Sequence, residues 1–163
     1  MMTKLEYVRR QTTHLLDRVL LVFEKALRMV PRDQLEFRPT PVSMSAKELG
    51  IHVYQAVYAL TRAAATGECR RADMDAIPID PARVGSAEEI ITYGRQVKDY
   101  VRGAIATMTE ADLERVTRNE VGPSAPGYAS MSMAYEEALH HRGQLMLYLR
   151  MMGIPPPRPY DYR

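Results

Sequence analysis

The sequence predicts an all-α protein, a four-helix bundle. Three observations carry that prediction. Four long stretches repeat apolar residues at the three-and-four spacing of a helix. Capping-box sequences open two of them, and no run of strictly alternating polarity marks a strand.

The first helix is expected from about Leu5 to Met29, with Leu5, Val8, Thr12, Leu15, Val19, Val22 and Ala26 on one stripe. Pro31 ends it, because proline lacks the N–H and clashes with the preceding turn. A polar connection from Pro31 to Ser43 follows. Ser45-Ala46-Lys47-Glu48 is a capping box, and it opens a second helix that runs to about Ala65 and stops near Gly67. Leu49, His52, Ala56, Ala59 or Leu60, and Ala63 form its inward stripe, which places His52 about two turns in and facing the core.

Glu68 to Gly85 is rich in Pro, Asp and Arg and reads as loop. Ser86-Ala87-Glu88-Glu89 repeats the capping pattern and starts a third helix, with Ile90, Val97, Val101 and Ile105 inward. Thr109-Glu110-Ala111-Asp112 caps a further short turn through Val116. Thr117 to Ser130, with its Gly-Pro and Pro-Gly pairs, reads as a long loop of the kind that covers a site. Ser130 or Ser132 is the expected cap of the fourth helix, which ends at Gly153 ahead of three prolines. The tail from Arg158 to Arg163 is expected to pack through Tyr160 and Tyr162.

Composition narrows the function classes. The 163 residues suit one domain, 1–163, with a single core that needs no disulfide. A net charge of +2, with no concentrated basic stretch, argues against nucleic acid. No apolar run approaches the roughly 18 to 20 residues needed to span a bilayer, and the N-terminus lacks a signal pattern. One cysteine, Cys69, fits a reducing compartment, so a cytoplasmic location is expected. Eleven methionines without a tryptophan suggest adaptable core filling together with a self-association face on the last helix.

The chemistry concentrates in Glu137-Ala138-Leu139-His140-His141-Arg142-Gly143-Gln144. Glu137 and His141, four residues apart, share one helical face. The stripe Ala134, Ala138, His141, Leu145, Tyr148 and Met152 turns that face inward. A carboxylate and an imidazole in a helical core are costly unless satisfied, and a divalent metal satisfies both. His52 is the candidate third ligand. His140 points about 100° away from His141 and reads as a surface residue. His14 shares a polar face with Gln11, Asp17 and Arg18. Gln144 is placed to orient a ligand, Arg142 to meet a carboxylate, Gly143 to admit a close helix, and Thr12 to offer a hydroxyl near the site.

The run His140-His141-Arg142-Gly143-Gln144, followed by Leu145, Tyr148-Leu149-Arg150, Gly153 and Pro155-Pro156, closely resembles the C-terminal signature of the DinB (DinB/YfiT-like) metalloenzymes. Arg38-Pro39 and the stretch from Ser45 to His52 support the likeness. The resemblance implies a four-helix bundle, commonly a homodimer, that holds a divalent metal with three side chains. Carried onto this sequence, they are His52, His141 and the position four before it, where Glu137 stands instead of the family's histidine. A two-His-one-carboxylate set suits zinc or nickel first, and manganese or iron as well. The resemblance further implies a small-molecule substrate and, as the specific expectation, a thiol S-transferase using a low-molecular-weight thiol. The opposing expectation is a non-catalytic, stress-linked dimeric bundle with a degenerate metal site, which the change at Glu137 favours.

Overall fold

The computed structural model describes residues 1–163, and helix dominates it. The first long helix consists of α1 (Lys4–His14), a π-helical stretch (Leu15–Val19) and α2 (Leu20–Arg28). Thr3 caps it, accepting from the Glu6 N–H at 3.1 Å, while the Glu6 carboxylate accepts from the Thr3 N–H at 2.7 Å. The wider π turn shifts the inward face, so that Leu15, Leu16, Val19 and Leu20 are all buried. The remaining long helices are α3 (Ala46–Thr66), α4 (Ala87–Thr107) and α6 (Gly127–Met151), with a short α5 (Glu110–Glu114) before the last. Both α2 and α3 pack against α4 and α6, which sets α3 diagonally opposite the first helix.

The expected stripes are largely the observed core. Val8, Thr12, Leu15, Val19, Val22 and Ala26 are buried, as are Ile90, Val97 and Val101 of α4. Burial of each large side chain contributes about 1.5–3 kcal/mol, and Tyr54, Tyr58 and Phe23 lead that set. The stripe of α3 is wider than expected, because Val53, Tyr54, Val57 and Tyr58 are buried too. His52 therefore sits at the rim of the core, half-buried, rather than facing into it. No helix is long and apolar enough to cross a membrane.

Two boundaries differ from expectation. The fourth long helix begins at Gly127, behind Pro126, rather than at Ser130 or Ser132. Proline suits a helix start, where its missing N–H is no loss. The Gly127 N–H donates to the Arg115 carbonyl at 3.0 Å, and a Cβ there would meet the Asp112 carbonyl oxygen at 2.3 Å. Only glycine fits against α5 at that point. Ser130 is instead buried, its hydroxyl 3.5 Å from that of Thr117.

The second difference is a parallel pairing of β1 (Glu68–Cys69) with β2 (Arg118–Asn119), inside segments that read as loop. Two residues are too few to leave a periodic signature in sequence. The pairing matters, because it fixes residues 119–123 beside the middle of α3. A short 3-10 turn (Arg71–Ala76) follows β1, and the Arg71 N–H donates to Glu120 Oε2 at 3.0 Å, tying the two segments together again.

The tail lies along the first helix. The Arg18 guanidinium stands 4.7 Å from the centre of the Tyr162 ring, and Lys25 pairs with Asp161 at 3.3 Å, whereas Tyr160 is exposed.

Candidate metal centre

Two helices build the site. α6 presents Glu137 and His141 one turn apart on one face, as the spacing predicts, and α3, packed beside it, presents His52. The Nε2 atom of His141 lies 3.0 Å from Glu137 Oε2, and the Nε2 atom of His52 lies 3.5 Å from that same oxygen. The two imidazole rings meet nearly edge to face, 4.7 Å between centres. All three potential ligand atoms fall within 4.8 Å of one another.

Hydrogen bonding assigns the tautomer of His141. Its Nδ1 stands 2.7 Å from Gln144 Oε1, an atom that can only accept, so Nδ1 carries the proton and donates. In the neutral ring, the Nε2 atom then faces the Glu137 carboxylate with a lone pair. Two acceptors aimed at each other at 3.0 Å require a proton or a cation between them. Desolvation holds the pKa of His52 below its ordinary value, a charge on the neighbouring His141 would add to that, and Glu137 opposes both. That direction favours the neutral ring, whose nitrogen lone pair can coordinate.

The donor set fits a divalent ion. Ligands at about 2.0–2.2 Å in tetrahedral array are separated by roughly 3.3–3.6 Å. The His52–Glu137 distance of 3.5 Å falls in that range, and the His141–Glu137 distance of 3.0 Å is a little shorter. All three atoms lie within 4.8 Å of one another, so small side-chain rotations would close the set on an ion. Two neutral imidazoles and a carboxylate leave a dication with one net positive charge, enough to polarise a further ligand. An open side remains, because His52 and Glu137 line a cavity of about 280 Å³ between α3, α6 and the 119–123 loop.

The other expected residues divide. Gln144 orients His141 as the sequence suggested, and its amide nitrogen donates to His140 Nε2 at 3.0 Å. His140 is exposed and stays outside the converging group, although it borders the cavity. His14 is also exposed, with Nδ1 3.0 Å from the Tyr135 hydroxyl. Thr12 is buried, but its hydroxyl donates to the Val8 carbonyl of its own helix at 2.8 Å and offers nothing to the site. Arg142 meets no carboxylate and instead donates to the Pro159 carbonyl at 3.4 Å. Gly143 approaches nothing, since a Cβ there has no neighbour within 4 Å. Cys69 is buried among apolar residues, and that burial pushes its thiol pKa up, which makes it a poor nucleophile.

Sequence reasoning missed two features. Asn119 borders the cavity with a buried amide nitrogen that has no partner, while its Oδ1 accepts from the Val121 N–H at 3.1 Å. An Asn two residues ahead of the donating N–H is a readable turn signal, but nothing in it locates the turn against α3. Arg38 forks onto Glu48, with Nη2 2.7 Å from Oε1, which braces the start of the helix that carries His52. The motif Arg38-Pro39 marked the residue without revealing that partner.

Among proteins of known sequence, YjoA of Bacillus subtilis (strain 168), an uncharacterized protein, is 23% identical over 126 residues, or 76% of this chain and 77% of YjoA. The crystal structure of that DinB-like protein superposes with a TM-score of 0.69 at 21% identity, covering 93% of this chain and 97% of that one. A DinB-family member from Exiguobacterium sibiricum 255-15 gives a TM-score of 0.68 at 18% identity over 100% and 99% of the two chains. YfiT from Bacillus subtilis, described as a probable metal-dependent hydrolase with an unusual four-helix bundle topology, gives 0.66 at 12% identity over 90% and 88%. At these identities the superpositions speak for the fold alone. Residues 5–145 match the family model of the DinB superfamily, and the chain belongs to that superfamily.

Proposed function

We propose that this protein is a divalent-metal-dependent enzyme that transfers a small electrophile onto a low-molecular-weight thiol. One observation carries the reading: three ligand-type atoms from two distant stretches converge at the wall of a cavity, with His141 Nε2 3.0 Å from the Glu137 carboxylate. His52, Glu137 and His141 would hold the ion, with zinc or nickel preferred by the two imidazoles. The ion, when bound, supplies Lewis acidity that lowers the pKa of a coordinated thiol or water.

The remaining work falls to residues of the chain. Gln144 accepts from His141 Nδ1 and so keeps the opposite nitrogen directed at the ion. Leu60, Val121, Pro123 and Met133 give the cavity an apolar side that would receive an apolar substrate body. If water takes the place of the thiol, the same arrangement hydrolyses its substrate, and the description of YfiT as a probable metal-dependent hydrolase supports that second reading.

The protein is further proposed to act as a homodimer. Leu147 and Met151 stand exposed one turn apart on the outer face of α6, and the bare Gly143 continues the same line. That strip suits the self-contact of a second copy. Sedimentation analysis would show a dimer that Leu147→Glu dissociates; a monomeric wild-type chain would overturn the assignment.

Metal analysis of protein purified without an affinity tag tests the enzymatic reading. The expected result is about one divalent ion per chain, lost in His52→Ala and in His141→Ala with helicity retained. A metal-free protein that refuses added zinc, nickel, manganese and iron would leave a non-catalytic helical bundle as the function.

A further inference from the structure

His52, one member of the converging group, stands between two cavities. The first is the apolar one described above. The second, about 380 Å³, lies on the other side of His52, between α3 and the Arg71–Ala76 turn, and Gln55, Arg71 and Asp75 give it a polar, charged lining. His52, Ala56, Ala59 and Val121 belong to both walls. A single substrate attacked by water needs one chamber. Two chambers meeting at one histidine, of which only the second sets an arginine beside an aspartate, suit two different molecules brought together.

The charges of the second chamber are not consumed by the protein. Around them, Arg62 pairs with Asp73 at 2.8 Å and Arg70 pairs with Glu68, while Arg71 and Asp75 form no ion pair. Two features position Arg71. Its N–H is tied to Glu120 across the strand pair, and the Arg70 N–H next to it donates to Asp73 Oδ2 at 2.8 Å. A cation and an anion that border one chamber without pairing complement a ligand that carries both signs. A guanidinium takes a carboxylate through a two-pronged contact, and a carboxylate takes an ammonium through charge-assisted hydrogen bonds.

We propose that this second chamber binds the polar end of a small zwitterion, with Arg71 on its carboxylate and Asp75 on its ammonium group. The direction in which the ligand then points, thiol toward His52, rests on the thiol-transfer reading; the charge recognition does not. Arg71 and Asp75 are thereby specificity determinants for the polar co-substrate, and the apolar chamber is left for the electrophile.

Three thiols separate the contributions: cysteine carries both charges, cysteamine the ammonium alone, and 3-mercaptopropionate the carboxylate alone. Each is titrated by NMR into the full chain, metal-free and then zinc-loaded, after zinc content has been measured. Cysteine should bind about tenfold or more tighter than either single-charge probe, the gain expected of one added charged contact. Arg71→Gln should reduce cysteine to the level of cysteamine and leave cysteamine unchanged, and Asp75→Asn should reduce it to the level of 3-mercaptopropionate. Equal binding of all three probes, or cysteine binding indifferent to both substitutions, overturns the proposal. A chain that discriminates the probes yet holds no zinc keeps the chamber and loses the metal reading. A zinc-holding chain that fails to discriminate does the reverse.

Discussion

Gln144 decides what His141 can do. The amide oxygen accepts from Nδ1 at 2.7 Å, which leaves Nε2 as the only coordinating atom of that ring and holds it toward Glu137. Gln144→Ala should therefore weaken zinc binding by about 10–100-fold, the usual cost of removing the partner of a ligating histidine. Competition with a chromophoric chelator measures it. Gly143→Ala, one residue away and facing open space, should leave affinity unchanged and so controls for disturbance of the helix. The face shared by Glu137 and His141 was legible in the sequence, because a spacing of four fixes it. Where His52 sits was only half legible. Periodicity states which side of α3 it occupies, but neither how far α3 is displaced along α6 nor how much of the rim reaches solvent. Arg71 and Asp75 were not legible at all, since a 3-10 turn gives charged residues no periodic signature.

At the scale of elements, the start of α3 is where local chemistry and the site meet. The Ser45 hydroxyl accepts from the Glu48 N–H at 3.1 Å, and the Glu48 carboxylate accepts from the Ser45 N–H at 2.8 Å and from Arg38. The Arg38 guanidinium first, and the Ser45 N–H second, hold the Glu48 carboxyl at about 2, well below its ordinary 4.5. A carboxylate depressed on folding stabilises the fold above the unfolded value and loses that contribution as pH falls through the folded one. Stability should thus decline between pH 4.5 and about 2 partly through this group, and Glu48→Gln should flatten that part of the profile. Urea midpoints taken across the window for both proteins provide the check. An unchanged slope would mean that solvent screens the pair completely.

The same scale separates what sequence can and cannot show. The capping boxes before α3 and α5 and the glycine after α6 were readable, because each is a local contract between neighbouring residues. The start of α6 was not. Pro126-Gly127 reads as a turn until α5 is known to press its carbonyl against Gly127. Gly94 is a parallel case within α4: a Cβ there would stand 2.2 Å from Tyr54 Cζ. Gly94→Ala should cost about 1–3 kcal/mol by forcing Tyr54 from its place, measurable as a lowered urea midpoint with an unchanged slope.

Across the whole molecule, one buried ionic link joins three of the four bundle helices. Glu24 of α2 is almost fully buried, pairs with Lys98 of α4, and accepts from the Tyr54 hydroxyl of α3 at 3.2 Å. Burial first, and the Glu24 charge second, push the pKa of that tyrosine well above its ordinary value, so Tyr54 remains a donor at any working pH. A linkage across three helices is invisible to stripe analysis, which treats a Glu within an apolar run as an exception rather than as a partner. Its net worth is set by competing terms, because both charges lost water to form it. Breaking it from one side is the unfavourable case. Lys98→Met leaves the Glu24 carboxylate buried with only the tyrosine to answer it, and should cost about 3–5 kcal/mol. At roughly 2–4 °C per kcal/mol for a chain of this size, that is a fall of about 6–20 °C in the melting temperature. Adding Glu24→Gln should return most of the loss, since a neutral amide keeps the bond to Tyr54 without a stranded charge. Calorimetry on the two single variants and the double variant closes the cycle. Equal destabilisation in Lys98→Met and in the double variant would assign the loss to packing of the lysine stem instead, and the link would then hold the helices by shape rather than by charge.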